Sequence, residues 1–231
     1  AQFIELAEET GLIDAIGLWV LQKACADAAT WPAPLTVAVN LSPAQFASGN
    51  LVAAVTDALA AAHLSPRRLE LEITESLLMN NTDEVMATLR ALSALGVPIA
   101  MDDFGTGYSS LAYLWRFPFD KVKIDRAFTQ HLGSDAKVDL IVKSIITLAH
   151  SLDIRVNAEG VETPSQMAAL QGHGCDELQG FLLGRPGPAL GLSHEGHVSG
   201  DAEPHWSPAR ESLFAELQME LPPTRPAPLS E

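Results

Sequence analysis

Six short apolar segments alternate with amphipathic helical segments over the first 186 residues, and this alternation limits the possible folds more than any other feature of the sequence. The candidate strands are residues 35–41, 69–73, 97–101, 121–124, 154–158 and 177–182. Between them, apolar residues recur at helical spacing, for example at Val138, Ile141, Val142 and Ile145. The alternation predicts an α/β fold with a parallel sheet covered by helices, either a doubly wound sheet or a β/α barrel.

Polar side chains stand at or just beyond the C-terminal end of every candidate strand. They are Asn40, Glu72, Glu75, Asp102, Asp103, Lys123, Asp125, Glu159, Glu162 and Gln179. In a barrel, these strand ends converge on the face where the catalytic groups of the fold lie, whereas in an open sheet only the switch point forms a site. Contributions from all six strands therefore favour the barrel. Because a closed barrel of this class has eight strands, we expect a (β/α)8 TIM-like barrel of which roughly two strands precede Ala1.

A strong excess of acidic residues excludes several classes of function. The 231 residues include 14 Lys and Arg against 29 Asp and Glu, a formal net charge of -15. Such a charge repels phosphate backbones and anionic lipids, so no general nucleic-acid binding is expected. No apolar run approaches the roughly 20 residues of a membrane span, so we expect no membrane segment in this chain. The two distant cysteines, Cys25 and Cys175, are compatible with a cytoplasmic location.

The composition changes near Pro186, which sets the expected domain boundary. Residues 187–231 hold seven of the fifteen prolines and show a helical pattern only over 210–221. We expect one domain over residues 1–186 and a mostly disordered, Pro-rich acidic tail over residues 187–231.

The concentration of carboxylates at the strand ends predicts a site for hard divalent cations. Oxygen ligands with almost no His or Cys favour Mg²⁺, Mn²⁺ or Ca²⁺ over Zn²⁺. In the segment MDDFGTGYSS, Asp102 is expected to bridge two ions while Asp103, followed by the flexible Gly105 and Gly107, reaches the second. Two such ions clamp the attacking and leaving oxygens of a phosphoester displacement. The alternative is that an Asp-Asp pair before Phe-Gly-Thr-Gly only begins a turn.

Lys123 is a second candidate for chemistry at the strand ends. Val122 and Ile124 are apolar and should face the helices, which places Lys121, Lys123 and Asp125 on the barrel interior. Paired lysines of this kind also resemble those of enolase-type barrels, where lysine is the base and Mg²⁺ holds an enolate. Both interpretations use carboxylates at strand ends, although the aspartate pair and the amide of Asn40 suit the enolase scheme poorly.

Several longer motifs resemble one family specifically. FIELAEETGLI, VNLSPAQF, LELEITES, MDDFGTGYSSL, FDKVKID, NAEGVET and CDELQGFLLGRP occur in the order and spacing of the EAL-domain cyclic di-GMP phosphodiesterases. The resemblance covers residues 2–186. It implies a β/α barrel that hydrolyses cyclic di-GMP to linear pGpG with two Mg²⁺ or Mn²⁺ ions.

The resemblance also implies a set of metal ligands. Asn40, Glu72 and Asp102 resemble the ligands of the first ion. Asp102 would bridge to the second ion, which Asp103 and Glu159 would complete.

Five further residues match other positions of the family pattern. Lys123 would contact the attacking water or the phosphate, with Asp125 in support, and Glu75 would hold the DFGTGYSS loop. Glu162 would lie just outside the set of metal ligands. Gln179 would contact water or substrate at the last strand. Whether Glu159 also acts as the general base stays open.

One departure separates this chain from the complete family pattern. The Glu-Ala-Leu segment that names the family, with its metal-binding glutamate and a nearby arginine, is expected upstream of FIELAEE and is absent here. A non-hydrolytic EAL module that acts as a cyclic di-GMP receptor or interaction domain is therefore the alternative function. The resemblance further implies a homodimer joined near the DFGTGYSS loop.

Overall fold

The computed structural model describes residues 2–79, 82–105, 114 and 116–187. Six strands lie in this part of the chain: β1 (Val37–Asn40), β2 (Leu69–Thr74), β3 (Ile99–Phe104), β4 (Lys121–Ile124), β5 (Arg155–Ala158) and β6 (Glu177–Leu178). The expected tail beyond Gly187 and most of the GTGYSS segment lie outside the described residues.

Helices follow or precede each strand. They are α1 (Gln2–Thr10), α2 (Leu12–Ala29), α3 (Pro43–Ala47), α4 (Leu51–Ala62), α5 (Glu75–Met79), α6 (Thr82–Ala94), α7 (Arg126–Thr129), α8 (Ala136–Ser151) and α9 (Pro164–Gly172), with a 3-10 turn at Pro66–Arg68. Local sequence explains several starts. The Thr163 hydroxyl accepts from Gln166 N, the Gln166 side chain accepts from Thr163 N, and Pro164 occupies the first helical position of α9.

All six strands are parallel and lie in sequence order, β1-β2-β3-β4-β5-β6. Consecutive strands are neighbours throughout, as the strand–helix alternation predicts. The register places Asn40 beside Glu72 and Lys123 beside Asn157. Polar residues near the C-terminal ends of different strands therefore come together on one edge of the sheet.

Three predicted strand boundaries need correction. The third strand begins at Ile99 rather than Val97, because Pro98 has no N–H for the ladder, and it continues through both aspartates to Phe104. The last strand ends at Leu178 rather than Leu182. The first is limited to Val37–Asn40, since Leu35 N donates to Pro32 O in a turn.

The two faces of the sheet differ in character. The face toward the helices is apolar and fully buried; it includes Leu71, Ile73, Ile99, Met101, Val122, Ile124 and Val156. The opposite face carries charged residues, among them Glu70, Glu72, Lys121 and Lys123, all under 8% exposed. Lys121 on β4 contacts both Glu70 on β2 and Glu177 on β6. Because alternate strands of a flat sheet lie about 9.6 Å apart, contacts to both sides indicate a sheet curled around this charged face.

None of the helices in the described part of the chain is both long enough and apolar enough to cross a membrane.

Candidate active site

Lys123 lies at the centre of the charged face, near the C-terminal ends of the strands. Its Nζ is 2.8 Å from Glu72 Oε2, 2.7 Å from Glu159 Oε1 and 3.2 Å from Asp102 Oδ1. The Lys123 side chain is only 5% exposed, so these contacts lie largely away from water. Burial alone would lower the pKa of Lys123, but its hydrogen bonds to Glu159 and Glu72 raise that pKa above the usual range. The ammonium therefore stays charged at any physiological pH.

The adjacent aspartates are separated by a bend in β3. Asp103 has a φ of 56°, in the left-handed region that Asp tolerates better than most residues. The pairing between β3 and β4 shifts register between Met101 and Phe104, which marks an irregularity of the β-bulge type at this point. Asp102 Oδ1 accepts a hydrogen bond from Asp103 N at 3.0 Å. Because of this bend, the side chains of Asp102 and Asp103 do not point to opposite faces of the sheet, as they would in a regular strand. Both carboxylates therefore lie near the Lys123 cluster.

The turn that follows the aspartates depends on Gly105. Its φ is 93°, and a Cβ there would come 2.9 Å from the ring of Phe128. We expected Gly105 and Gly107 to free Asp103; the structure adds a left-handed backbone at Asp103 itself, within β3 and two residues before Gly105.

Glu159 reaches the cluster from the segment after β5. Its backbone N donates to Ile124 O at 3.0 Å, which extends the ladder between β4 and β5 by one bond. Gly160 follows with a φ of 69°, and a Cβ there would come 2.5 Å from Arg126 Cβ. The close approach of Arg126 thus requires glycine directly after the glutamate.

The carboxylates outnumber the cations at this point. Glu72, Asp102 and Glu159 share the ammonium of Lys123, so three carboxylates and one cation leave this group with a formal charge of -2, and Asp103 lies next to it. Burial raises the pKa of Glu72, with Lys123 opposing the shift. Burial also raises the pKa of Asp103, and the nearby carboxylates of Asp102, Asp125 and Glu159 add to the effect. Uncompensated charge of this kind is what divalent cations neutralise.

The donor set fits a hard cation in its chemistry. It consists of four carboxylates and the amide of Asn40, which is level with Glu72 in the ladder. In the part of the chain that the structure describes, no three Asp, Glu, His or Cys side chains are arranged as a metal group. The contacts around Lys123 give the reason, since three of the carboxylates direct an oxygen toward its Nζ. Each of these carboxylates has a second oxygen besides the one in contact with the lysine, and that oxygen can hold an ion.

The remaining residues predicted for the site occupy its margin. Asp125 follows β4 and accepts from Ala127 N at 2.8 Å, so it caps α7 rather than continuing the interior row. Glu75 is the first residue of α5 and is 2% exposed, next to the end of β2. Glu162 and Gln179 are exposed residues of the segments after β5 and β6. The loop that Glu75 was expected to hold lies outside the described residues from Thr106 onward.

A second group of charged side chains lies on the same face of the sheet as the Lys123 cluster, and its ion pairs were not predicted. Lys121 Nζ is 2.8 Å from Glu70 Oε2 and 2.6 Å from Glu177 Oε2, and Arg155 Nη1 is 2.8 Å from Glu177 Oε1. Two cations and two carboxylates balance in charge, in contrast to the Lys123 cluster. The enolase-type interpretation predicts that Lys121 and Lys123 act together, whereas in the structure they belong to two separate groups of ion pairs. Asn157, level with Lys123, has a buried Oδ1 without a hydrogen-bond partner among the described residues.

Alternation of the strands was the available signal for this second group. Glu70, Lys121 and Glu177 each lie two residues before a predicted site residue and Arg155 lies four residues before Glu159, so they share its face. Which of them pair could not be read from spacing, because the pairing depends on the curvature of the sheet.

Comparison with known proteins identifies the family. The profile described as "EAL domain" matches residues 1–186. The chain belongs to the EAL domain family. It is 50% identical over 192 residues to the bifunctional diguanylate cyclase/cyclic di-GMP phosphodiesterase MucR of Pseudomonas aeruginosa, covering 81% of this chain and 28% of MucR.

Solved EAL structures share the fold. The MucR phosphodiesterase in complex with c-di-GMP aligns with a TM-score of 0.78 and 49% identity, covering 81% of this chain and 78% of that one. Klebsiella pneumoniae BlrP1 in a manganese/cy-diGMP complex aligns with a TM-score of 0.68 and 35% identity, covering 75% of this chain and 45% of that one. The fold prediction is confirmed: the six strands form part of the TIM-like barrel of EAL domains.

The chain spans about a quarter of the length of the curated relatives it matches, with shares of 24%, 23% and 28% for three of them.

Proposed function

We propose that this EAL domain is a metal-dependent phosphodiesterase that hydrolyses cyclic di-GMP to linear pGpG in bacterial second-messenger signalling. The observation that carries the proposal is the imbalance of charge around Lys123, where three carboxylates contact one ammonium and a fourth, Asp103, lies nearby at the C-terminal edge of the sheet. A dianionic dinucleotide can approach such a surface only with cations between them. The c-di-GMP complex of MucR and the manganese/cy-diGMP complex of BlrP1 support the choice of ligand and of a divalent ion.

The residues have distinct roles in this proposal. Asn40, Glu72 and Asp102 hold one cation, and Asp102, Asp103 and Glu159 hold the other. When bound, Mg²⁺ or Mn²⁺ supplies a Lewis acid for the phosphodiester and lowers the pKa of water.

Three other side chains orient the reactants. Lys123, always protonated, would donate an N–H to a phosphate oxygen or to the attacking water. Glu159, beside the Lys123 ammonium, is positioned to accept a proton from that water. Gln179 contacts substrate or water from the end of β6.

A non-hydrolytic cyclic di-GMP receptor is the second candidate. It is favoured by one observation, that the carboxylate oxygens contact Lys123 instead of forming a metal group within the described residues. All five ligand positions carry the expected residue types, which supports the enzyme.

Mass spectrometry separates the two functions. Full-length protein incubated with cyclic di-GMP and Mg²⁺ should convert it to pGpG. Unchanged cyclic di-GMP that is nevertheless bound, as measured by calorimetry, would establish the receptor instead.

The family resemblance also supports a cytoplasmic homodimer joined near residues 103–110. Sedimentation equilibrium of the full-length protein tests the dimer, and a mass equal to one chain at micromolar concentration would exclude it.

A further inference from the structure

The last strand of the sheet is short, and a candidate substrate-contacting residue follows it. β6 consists of Glu177 and Leu178, which pair with Asn157 and Ala158 of β5. Among the described strands, β6 is one end of the sheet and has a neighbour on one side. Two ladder residues hold a strand weakly, so side-chain contacts add to the backbone bonds that flank β6, from Asp176 N to Val156 O and from Gln179 N to Ala158 O.

Glu177 provides these contacts. Its Oε2 lies 2.6 Å from Lys121 Nζ, and its Oε1 accepts from Arg155 Nη1 at 2.8 Å. Lys121 is fixed in turn by Glu70, and the side chains of this pair are 8% and 9% exposed. Arg155 is 54% exposed, and an ion pair in that setting contributes little. Lys121, held from β2, is therefore the main anchor of Glu177 and hence of β6.

Gln179 lies two residues beyond Glu177, and because Glu177 is level with Asn157 and Asn157 with Lys123, Gln179 follows just past the level of Lys123. Its N donates to Ala158 O at 2.9 Å, and its O accepts from Val161 N at 3.0 Å. These two bonds place Gln179 beside the segment that carries Glu159.

Gly180 allows the backbone after β6 to approach the segment after β5 closely. A Cβ on Gly180 would come 2.2 Å from Val161 O and 2.3 Å from Val161 N, so the two backbones touch directly. The chain after β6 has little room to adjust on its own. Gln179 is therefore held between this contact and the side-chain anchor of Glu177, two residues before it.

We propose that Glu177 is a positioning residue: anchored on Lys121, it sets where Gln179 stands relative to the carboxylate cluster, and through Gln179 it sets the affinity for the phosphodiester substrate. The inference rests on the proposed hydrolysis of cyclic di-GMP. Glu177 contacts neither substrate nor cations. Its loss therefore changes substrate binding and leaves cation binding unchanged.

A double-mutant cycle tests the coupling. Glu177→Gln, Gln179→Ala and the double variant are prepared in the full-length protein, and KM, kcat and the Mn²⁺ concentration for half-maximal rate are measured. We expect each single variant to raise KM about tenfold, and the double variant to raise it no further than Gln179→Ala alone, because the two residues act as one unit. The Mn²⁺ midpoint should match the wild type in all three.

Binding is measured as well, by calorimetry with cyclic di-GMP and Ca²⁺, and should show the same tenfold loss and the same lack of additivity. Arg155→Gln is the matched control, since it removes the exposed partner of Glu177 and should leave KM within about twofold. If Glu177→Gln is unfolded at the assay temperature, Glu177→Asp, which keeps the charge on a shorter side chain, replaces it in the cycle.

The outcomes are distinct. Effects of Glu177→Gln and Gln179→Ala that multiply, or a shifted Mn²⁺ midpoint with unchanged KM, would overturn the positioning role while the wild type remains an active phosphodiesterase. A wild type that neither binds nor hydrolyses cyclic di-GMP would overturn the proposed function and this inference with it.

Discussion

Lys123 Nζ and Glu159 Oε1 lie 2.7 Å apart, so the end of β4 and the segment after β5 meet in a buried ion pair at the middle of the carboxylate cluster. The same ammonium contacts Glu72 on β2 and Asp102 on β3. One side chain thus links four segments of the sheet. A cation that binds the cluster shares its carboxylates with Lys123.

Replacing Lys123 should make the stability of the fold depend on metal. Lys123→Met leaves several buried carboxylates without their cation, which lowers the free energy of unfolding by about 3–5 kcal/mol when no metal is present. Mn²⁺ should then raise the melting temperature of the variant more than that of the wild type. Thermal melts in EDTA and in Mn²⁺ measure both shifts. Equal shifts in the two proteins would mean that Lys123 and the metal do not share these carboxylates.

Loss of Lys123 should also reduce turnover by about 100-fold or more, as for other groups that stabilise charge on the reacting atoms. Lys123→Arg keeps the charge but changes its geometry, and serves as the matched variant. An active Lys123→Met protein would remove the lysine from the reaction.

Asp102→Asn is expected to abolish turnover. The change removes the negative charge that both ions would share, while the side chain lies on the charged face of the sheet and outside the apolar core. The rate of pGpG formation and the melting temperature should be measured together. Turnover at the wild-type rate with the same metal dependence would refute the bridging role, and Glu84→Gln, at an exposed position of α6, is the control.

Glu72 gives the metal-free protein a distinctive pH dependence. Burial raises the pKa of Glu72 above its usual value of 4.5. The folded state therefore binds this proton more tightly than the unfolded state, and the stability contributed by the group is full below pH 4.5 and is lost as pH rises through the raised pKa. Glu72→Gln, which does not titrate, should gain stability relative to the wild type as pH rises through this window.

Melting temperatures in EDTA between pH 4.5 and 8 test this expectation. The quantity of interest is the difference between Glu72→Gln and wild type, because it removes the effect of all other titrating groups. A difference for Glu72→Gln that falls as pH rises would mean that the buried carboxyl has a lowered pKa.

Glu75→Ala should behave unlike the ligand variants. Glu75 is buried at the start of α5, beyond the strand that carries Glu72. If it orders the loop after Asp103, added Mn²⁺ should restore only part of the lost rate. Complete recovery at high Mn²⁺ would make Glu75 a metal ligand. Rates measured over a range of Mn²⁺ concentrations decide between these roles.

Much of the site could be predicted from sequence because strand alternation is a strict rule. Once the strands around Glu72, Asp102 and Lys123 are recognised, their common face and common edge follow. The bend at Asp103 could not be predicted, since its left-handed backbone depends on how β3 meets β4. The pairing of Lys121 with Glu177 was missed for a similar reason, because it joins strands that approach only when the sheet curls.

The dependence of pGpG formation on metal tests the central claim most directly. Initial rates with cyclic di-GMP are measured in the full-length protein while Mn²⁺ or Mg²⁺ is raised from zero in buffer treated with EDTA. We expect no product without metal. The initial rate should rise as more than one ion binds per active site, and it should not rise for Asp102→Asn. Product formed in excess EDTA, or none at any metal concentration, would contradict it.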